Sequence, residues 1–263
     1  MMNTLTDREI LQQQYKTPDR LKTRISIHGK YSTNPMGFGN WIVSQYEIAP
    51  NFRILELGCG TGDMWVSHLD RLKNGSHLIL TDFSGGMLES AKENLGNPDC
   101  VTFQVADIQK IPYDSEQFDM AIANMMLYHV PDLEKGLLEV RRILKPGGTF
   151  YCATYGEHGI VEYVESLLTG FSVSGTVNKN FTLQNGAAKL SEYFGEVEKL
   201  EYEDSLAVTD TEDLLDYIYS MSSMTNLNQV SRKTLREILE AKKENGVIHI
   251  PKEYGMFVCR KTG

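Results

Sequence analysis

From residue 52 onward, short apolar runs alternate with amphipathic stretches, whereas the first 50 residues are polar and irregular. Apolar runs bounded by turn formers predict strands at Arg53–Leu57, His77–Asp82, Val101–Val105, Phe118–Asn124 and Thr149–Thr154. Between them, helical spacing predicts helices at Asp63–Leu72, Gly86–Leu95 and Asp132–Leu144. In the last of these Leu133, Leu137, Val140 and Leu144 share one face, with charged residues opposite. LKPGG at Leu144–Gly148 ends that helix, since proline cannot continue it and glycine accepts a left-handed turn. Such alternation predicts an α/β architecture, doubly wound around a mainly parallel sheet.

The flanks are less regular. Helices are expected near Thr6–Gln14 and, after the turn-rich YSTNPMGFGNW, at Trp41–Tyr46. Beyond residue 155 the pattern predicts a helix near Gly159–Leu168, a polar loop over Ser172–Asn180 and a strand at Val197–Leu206. Helices at Thr211–Met221 and Ser231–Glu244 follow, then a strand at Tyr254–Arg260. The expected organisation is an arm over 1–50 and one domain over 51–263, with helical insertions near 155–180 and 210–245. Arm and insertions together would form a lid over the sheet's carboxyl edge.

Composition narrows the function. The 263 residues carry a net charge of −9 and show no basic stripe, so a nucleic-acid partner is not expected. The pairs Arg141-Arg142 and Lys242-Lys243 sit beside carboxylates in helix-like stretches and read as solvated faces. Cys59, Cys100, Cys152 and Cys259 form no C-x-x-C pair, which argues against a zinc or redox motif. The opening MMNTLTDREILQQQYK lacks the apolar segment of a secretory signal, and no apolar run approaches the roughly 18 residues of a membrane span. A reduced, cytoplasmic setting is expected.

The chemistry begins where the first strand, ending in Glu56-Leu57, runs into Gly58-Cys59-Gly60-Thr61-Gly62. Glycines at a strand-to-helix turn let a ligand approach the backbone, and in open α/β sheets ligands sit beyond the strands' carboxyl ends. A dinucleotide fingerprint counted from Gly58 needs its third glycine at residue 63, which is Asp63. An acid there would repel a pyrophosphate, whereas a ligand with sulfonium and ammonium groups tolerates both it and Glu56. The charges therefore favour S-adenosylmethionine over NAD. Asp82 ends the second strand, where a carboxylate can accept both ribose hydroxyls; capping the next helix is its plainer role.

ILELGCGTG, LTDFSGGML, ADIQKIPYDSEQFDMAIANMMLYHV and RRILKPGG, in that order, resemble the class I adenosylmethionine-dependent methyltransferases, and among them the quinone-ring enzymes. The resemblance covers residues 50 to 155. It implies a Rossmann-like, seven-stranded sheet whose last strand is antiparallel, which EYGMFVCRK suits. By the same resemblance Gly58 and Gly60 contact the methionine part of the cofactor, Glu56 anchors the loop and Asp82 holds the ribose. Phe83 and Met87 pack on the adenine, or else belong to the core. Asp107 accepts from the adenine amino group beside the Ile108 amide, or else serves only its turn. Asn124 lies near the methionine end. In similar enzymes an N-terminal arm covers the cofactor, so Arg24 or Tyr31 would bind its carboxylate.

Methyl transfer is an in-line displacement that depends mostly on alignment, which makes catalytic residues hard to name. The candidates are Tyr128 and His129 in the loop past the fourth strand, where the acceptor belongs. His129 would take a proton from a hydroxyl or amine, or merely shape the pocket. His158 is a weaker second. No carboxylate or histidine cluster points to a metal. The expected function is methyl transfer to O, N or C of a small organic molecule, leaving S-adenosylhomocysteine. The rival readings are a non-catalytic adenosylmethionine-binding module, an NAD-dependent oxidoreductase, and an RNA or protein side-chain methyltransferase. Acceptor and oligomeric state are open at this level.

Overall fold

A computed structural model describes residues 19–171, 178–221 and 229–263, with side chains from residue 25 onward. The helix expected at Thr6–Gln14 and residues 172–177 of the polar loop lie outside the described residues, as does the side chain of Arg24.

The sheet is built from β1 (Arg53–Leu57), β2 (His77–Asp82), β3 (Val101–Val105), β4 (Phe118–Ile122), β5 (Leu144–Tyr155), β6 (Glu196–Tyr202) and β9 (Tyr254–Arg260). Their order is β3-β2-β1-β4-β5-β9-β6. The first five strands are parallel, and β9 runs antiparallel between β5 and β6. This is the Rossmann-like, seven-stranded arrangement the motifs imply.

Apolar runs form these strands because both faces of the central sheet are buried. Leu55 and Leu57 of β1 face a core completed by helix α5 (Leu133–Ile143) through Leu137 and Val140. Ile54 faces the other way, with Leu78, Leu80 and Trp65. On that side lie α2 (Phe38–Ser44) and the short α3 (Asp63–Val66). Helix α4 (Gly85–Leu95) starts at Ser84, whose Oγ accepts from the Met87 amide, and stops at left-handed Gly96. Helix α5 is capped by Asp132 and gives way at Leu144 to β5, which absorbs Pro146 at its irregular start.

A third apolar cluster gathers α1 (Asp19–Tyr31), α6 (Ile160–Leu167), α8 (Thr211–Ser220) and α9 (Arg232–Glu240) around a two-stranded ribbon, β7 (Ser205–Val208) with β8 (Ile248–Pro251). Ile27, Val164, Leu214, Leu235 and Ile248 lie at its centre. A short α7 (Gly186–Ser191) packs near β6 and β9.

Three expectations change. The helix at Asp63–Leu72 is α3 followed by a separate 3-10 turn, Leu69–Leu72, because the backbone leaves helical values at Ser67 and His68. The strand at Val197–Leu206 is two strands in two sheets. Asp204 pins the turn between them, accepting from the Asn34 amide at 3.0 Å, from the Ser32 hydroxyl and from Lys252. The polar stretch before residue 32 contains helix α1. Among the described residues no helix is long and apolar enough to cross a membrane.

Candidate active site

Left-handed glycines make the turn after β1: Gly58, Gly60 and Gly62 have φ of 68°, 57° and 68°. A Cβ at Gly58 would lie 2.9 Å from Met126 Cγ, so that position is closed from behind by the β4 loop. A Cβ at Gly60 would meet nothing within 4 Å, so the backbone there borders open space. The loop is fastened from β2. The Cys59 amide donates to the Thr81 carbonyl (2.9 Å) and the Gly60 amide to Asp82 Oδ2 (3.0 Å). Asp82 Oδ1 accepts from the Ser84 amide at 2.7 Å. Asp63 turns back on the loop, accepting from Thr61 Oγ1 (2.7 Å) and Asn94 Nδ2 (2.9 Å).

Two carboxyl groups lie under this loop. Glu56 is sealed, accepts from the Trp65 indole, and is pushed up to about 7. Burial is the main cause; the indole bond opposes it, and the nearby Asp82 adds to it. Burial also raises Asp82 against the pull of the backbone amides of Ser84, Gly60 and Phe83. A cation beside these groups would relieve both.

The loop opens on a cavity of about 760 Å³, within the roughly 300–1,000 Å³ typical of small-ligand sites. At its near end it meets Glu56, Gly58, Gly60 and Asp82, together with Phe83, Met87, Asp107 and Ile108. Asn124, Tyr128 and His129 also border it. Asp107 Oδ1 accepts from the Gln109 amide (2.9 Å), which is the turn role, on the cavity's edge. Asn124 is held at both ends of its amide, donating to Tyr46 Oη (2.7 Å) and accepting from the Ala153 amide (3.2 Å). The Tyr128 ring lies 4.4 Å from His129 and 4.6 Å from Tyr155, centroid to centroid. Met125, between Asn124 and this pair, carries a left-handed φ of 53°, an arrangement that costs energy for a residue with a side chain.

The cavity does not reach Tyr31. Its hydroxyl donates to Asp213 at 2.5 Å, which ties α1 to α8. His158 is also outside it, exposed and paired with Glu162. Sequence reasoning assigned no site role to His28, Ser32, Tyr217, Lys252 or Tyr254, which also line the cavity. They come from α1, α8 and the β8–β9 turn, and no local spacing connects them. No group of three or more metal-ligating side chains is found among the described residues.

The donor set fits S-adenosylmethionine. Open glycine backbone over the buried Glu56 would suit its cationic end, the half-buried Asp82 carboxylate would suit a ribose, and the apolar side chains of Phe83, Met87 and Ile108 on the cavity wall would suit an adenine. Strand order, glycine loop and following acid are together those of the class I adenosylmethionine-dependent methyltransferase fold. Residues 55–152 match the family described as methyltransferase domain. Within that segment the chain resembles the quinone methyltransferases. Demethylmenaquinone methyltransferase of Clavibacter sepedonicus is 41% identical over 96 residues, which is 36% of this chain and 38% of that protein. Sterol 4-C-methyltransferase of Caenorhabditis elegans is 34% identical over 112 residues, 41% of this chain and 33% of that one. The chain thus spans about a third of the length of these curated relatives. Phosphoethanolamine N-methyltransferase 2 of Haemonchus contortus, solved in complex with S-adenosyl-L-methionine, has a TM-score of 0.59 at 19% identity. It covers 97% of this chain and 60% of that chain, a likeness of fold.

Proposed function

We propose that this chain is an adenosylmethionine-dependent methyltransferase acting on O, N or C of a small organic molecule. The carrying observation is the loop itself: open backbone at Gly60, fastened to a ribose-ready Asp82 over the buried Glu56. In this reading Glu56 faces the cofactor's ammonium, Gly58 and Gly60 pass close to its methionine part, and Asp82 receives the ribose hydroxyls. Phe83, Met87 and Ile108 enclose the adenine, whose amino group Asp107 accepts. Asn124 fixes the wall beside the methionine end. Arg24, on the same helix as His28, is the candidate for the carboxylate.

Bound adenosylmethionine supplies an electrophilic methyl group on a sulfonium. The chain's own task is to exclude water and align the acceptor with that methyl, which the aromatic and apolar walls of the cavity would do. His129, beside Tyr128 on the cavity wall, would take the proton of a hydroxyl or amine acceptor. A small, uncharged acceptor rather than nucleic acid is supported by the net charge of −9 and the aromatic walls. Residues 51–263 would be the catalytic domain, with the arm and insertions covering it. Four unpaired cysteines suit a cytoplasmic setting.

The test is calorimetric titration with S-adenosylhomocysteine, followed by a metabolite screen with labelled methyl donor. Binding and transfer are expected. No binding to the intact chain would refute the reading, and binding without transfer to any metabolite would leave the non-catalytic module in its place.

A further inference from the structure

The chain contains three Asn-Gly steps, Asn74-Gly75, Asn185-Gly186 and Asn245-Gly246. At such a step the glycine nitrogen can close on the asparagine side-chain carbon, because glycine has no side chain to hinder the approach. The fold restrains two of them. The Asn74 side chain donates to the Ile48 carbonyl (3.3 Å) and accepts from the Ser76 amide (3.1 Å). Asn185 is held likewise, donating to the Lys179 carbonyl (2.7 Å) and accepting from the Thr182 amide (2.9 Å). The Gly186 nitrogen is itself occupied, donating to the Thr182 carbonyl at 2.8 Å. Asn245-Gly246 has neither restraint. Both residues are exposed, and among the described residues neither the Asn245 side chain nor the Gly246 amide has a hydrogen bond. They form the tip of a two-residue turn, left-handed at both positions with φ of 51° and 82°. It is closed only by an isolated bridge, in which Glu244 and Val247 exchange bonds of 2.8 and 3.0 Å. The turn lies between α9 and β8, outside both, so its opening leaves either element formed.

We propose that Asn245 is the site at which the folded chain deamidates spontaneously, through a cyclic imide, to aspartate and isoaspartate. Hydroxide from solvent takes the Gly246 amide proton, and that nitrogen attacks the Asn245 side-chain carbonyl carbon. The new C–N bond closes the imide, the bond to the side-chain NH2 breaks, and ammonia leaves with a proton from water. A water molecule then opens the ring. Opening at the side-chain carbonyl gives aspartate, and opening at the backbone carbonyl gives isoaspartate. In sum one water enters and one ammonia departs, with nothing oxidised or reduced. Either product adds a carboxylate to the turn. Isoaspartate also adds a methylene to the main chain, which a two-residue turn has no room to absorb.

The test keeps the full chain at mildly alkaline pH in 18O-labelled water, beside a sample unfolded in guanidinium chloride. Both are then digested in ordinary water, and the peptides are separated and read by mass spectrometry. In the folded chain the peptide carrying Asn245 should gain label at least about tenfold faster than those carrying Asn74 or Asn185. In the unfolded chain all three should convert at comparable rates, since the chemistry of the step is the same. The Asn245 peptide should resolve into aspartyl and isoaspartyl forms. Asn245→Gly, which suits a left-handed turn position, should keep the fold and lose the labelled product. The inference is overturned if Asn74 or Asn185 converts as fast as Asn245 in the folded chain, or if Asn245 stays unlabelled while the unfolded sample reacts. An equal preference for Asn245 in the unfolded sample overturns it too, since the selection would then lie outside the fold. Aspartate without isoaspartate would mean direct hydrolysis and would overturn the cyclic route.

Discussion

Glu56 and Asp82 are acids drawn out of water with no cation beside them among the described residues, and this has a measurable consequence at the residue scale. Glu56 keeps its proton up to about pH 7 in the folded chain, against an ordinary value of 4.5. Between those values the folded state binds a proton that the unfolded state has released, so stability falls as pH rises through that window. Glu56→Gln should flatten this decline in urea melts of the ligand-free protein across pH 5 to 8. A cationic cofactor reverses the preference of Glu56. Adenosylmethionine should therefore bind more tightly as pH rises through about 7 and release a proton, seen as buffer-dependent binding heat; Glu56→Gln should abolish both. Asp82→Ala should weaken S-adenosylhomocysteine binding by about 1–3 kcal/mol, since it removes a buried partner of the ligand and the tether of Gly60 together. Calorimetry giving an unchanged affinity would remove Asp82 from the site. The two glycines separate on stability. Gly58→Ala carries both left-handed strain and the Met126 clash, whereas Gly60→Ala carries about 1–2 kcal/mol of strain alone. Denaturant melts should rank them in that order.

At the scale of elements, the buried pair Lys252–Asp204 joins the end of the β7–β8 ribbon to the segment following α1 through Ser32 and Asn34. Lys252→Met alone should cost about 3–5 kcal/mol in a urea melt, because it strands a buried carboxylate, while Lys252→Met with Asp204→Asn should cost much less. Sequence legibility divides along the same line. β1, β2, β3 and β9 have the bounds the sequence predicts: β1 and β2 are mostly apolar because they are buried within the parallel part of the sheet, while the edge strand β3 alternates apolar and polar. α5 is legible for the corresponding reason, a single apolar face at helical spacing. α1 is not: Gly29 and the branched Thr23, Ile25 and Ile27 weaken its propensity. It is held instead by Ile27 in a distant core and by Lys30 and Tyr31 on Asp213. The Gly58–Asp82 half of the cavity was readable because its residues follow their strands by short, fixed intervals. His28, Tyr217 and Lys252 lie far apart in the chain and meet only in the fold. Tyr31, three residues on along α1, meets Asp213 of α8 and does not border the cavity.

Across the whole molecule, the cavity is shared between the sheet's carboxyl edge and the cluster of α1, α6, α8 and α9. A ligand bridging the two should tie them together, because binding to the folded state alone stabilises every segment it touches. Saturation with S-adenosylhomocysteine should slow amide hydrogen exchange in the glycine loop and also in α1 and the β8–β9 turn. Protection confined to the loop would show that the cofactor engages only the sheet.

β9 lies between β5 and β6 and ends the sheet's assembly, because β6 pairs with no other strand. On a ribosome, β1 to β5 can zip in order of appearance, but the edge of β5 must wait roughly a hundred residues for its neighbour. Until then that edge is an open template for strangers. Lys252 and Tyr254 stand at the start of β9, so the strand that shuts the edge also delivers the last wall of the cavity. Ligand binding and cover for the β5 edge thus arrive in the same step of folding, and a chain that can hold its ligand tightly is one in which β5 already has its neighbour.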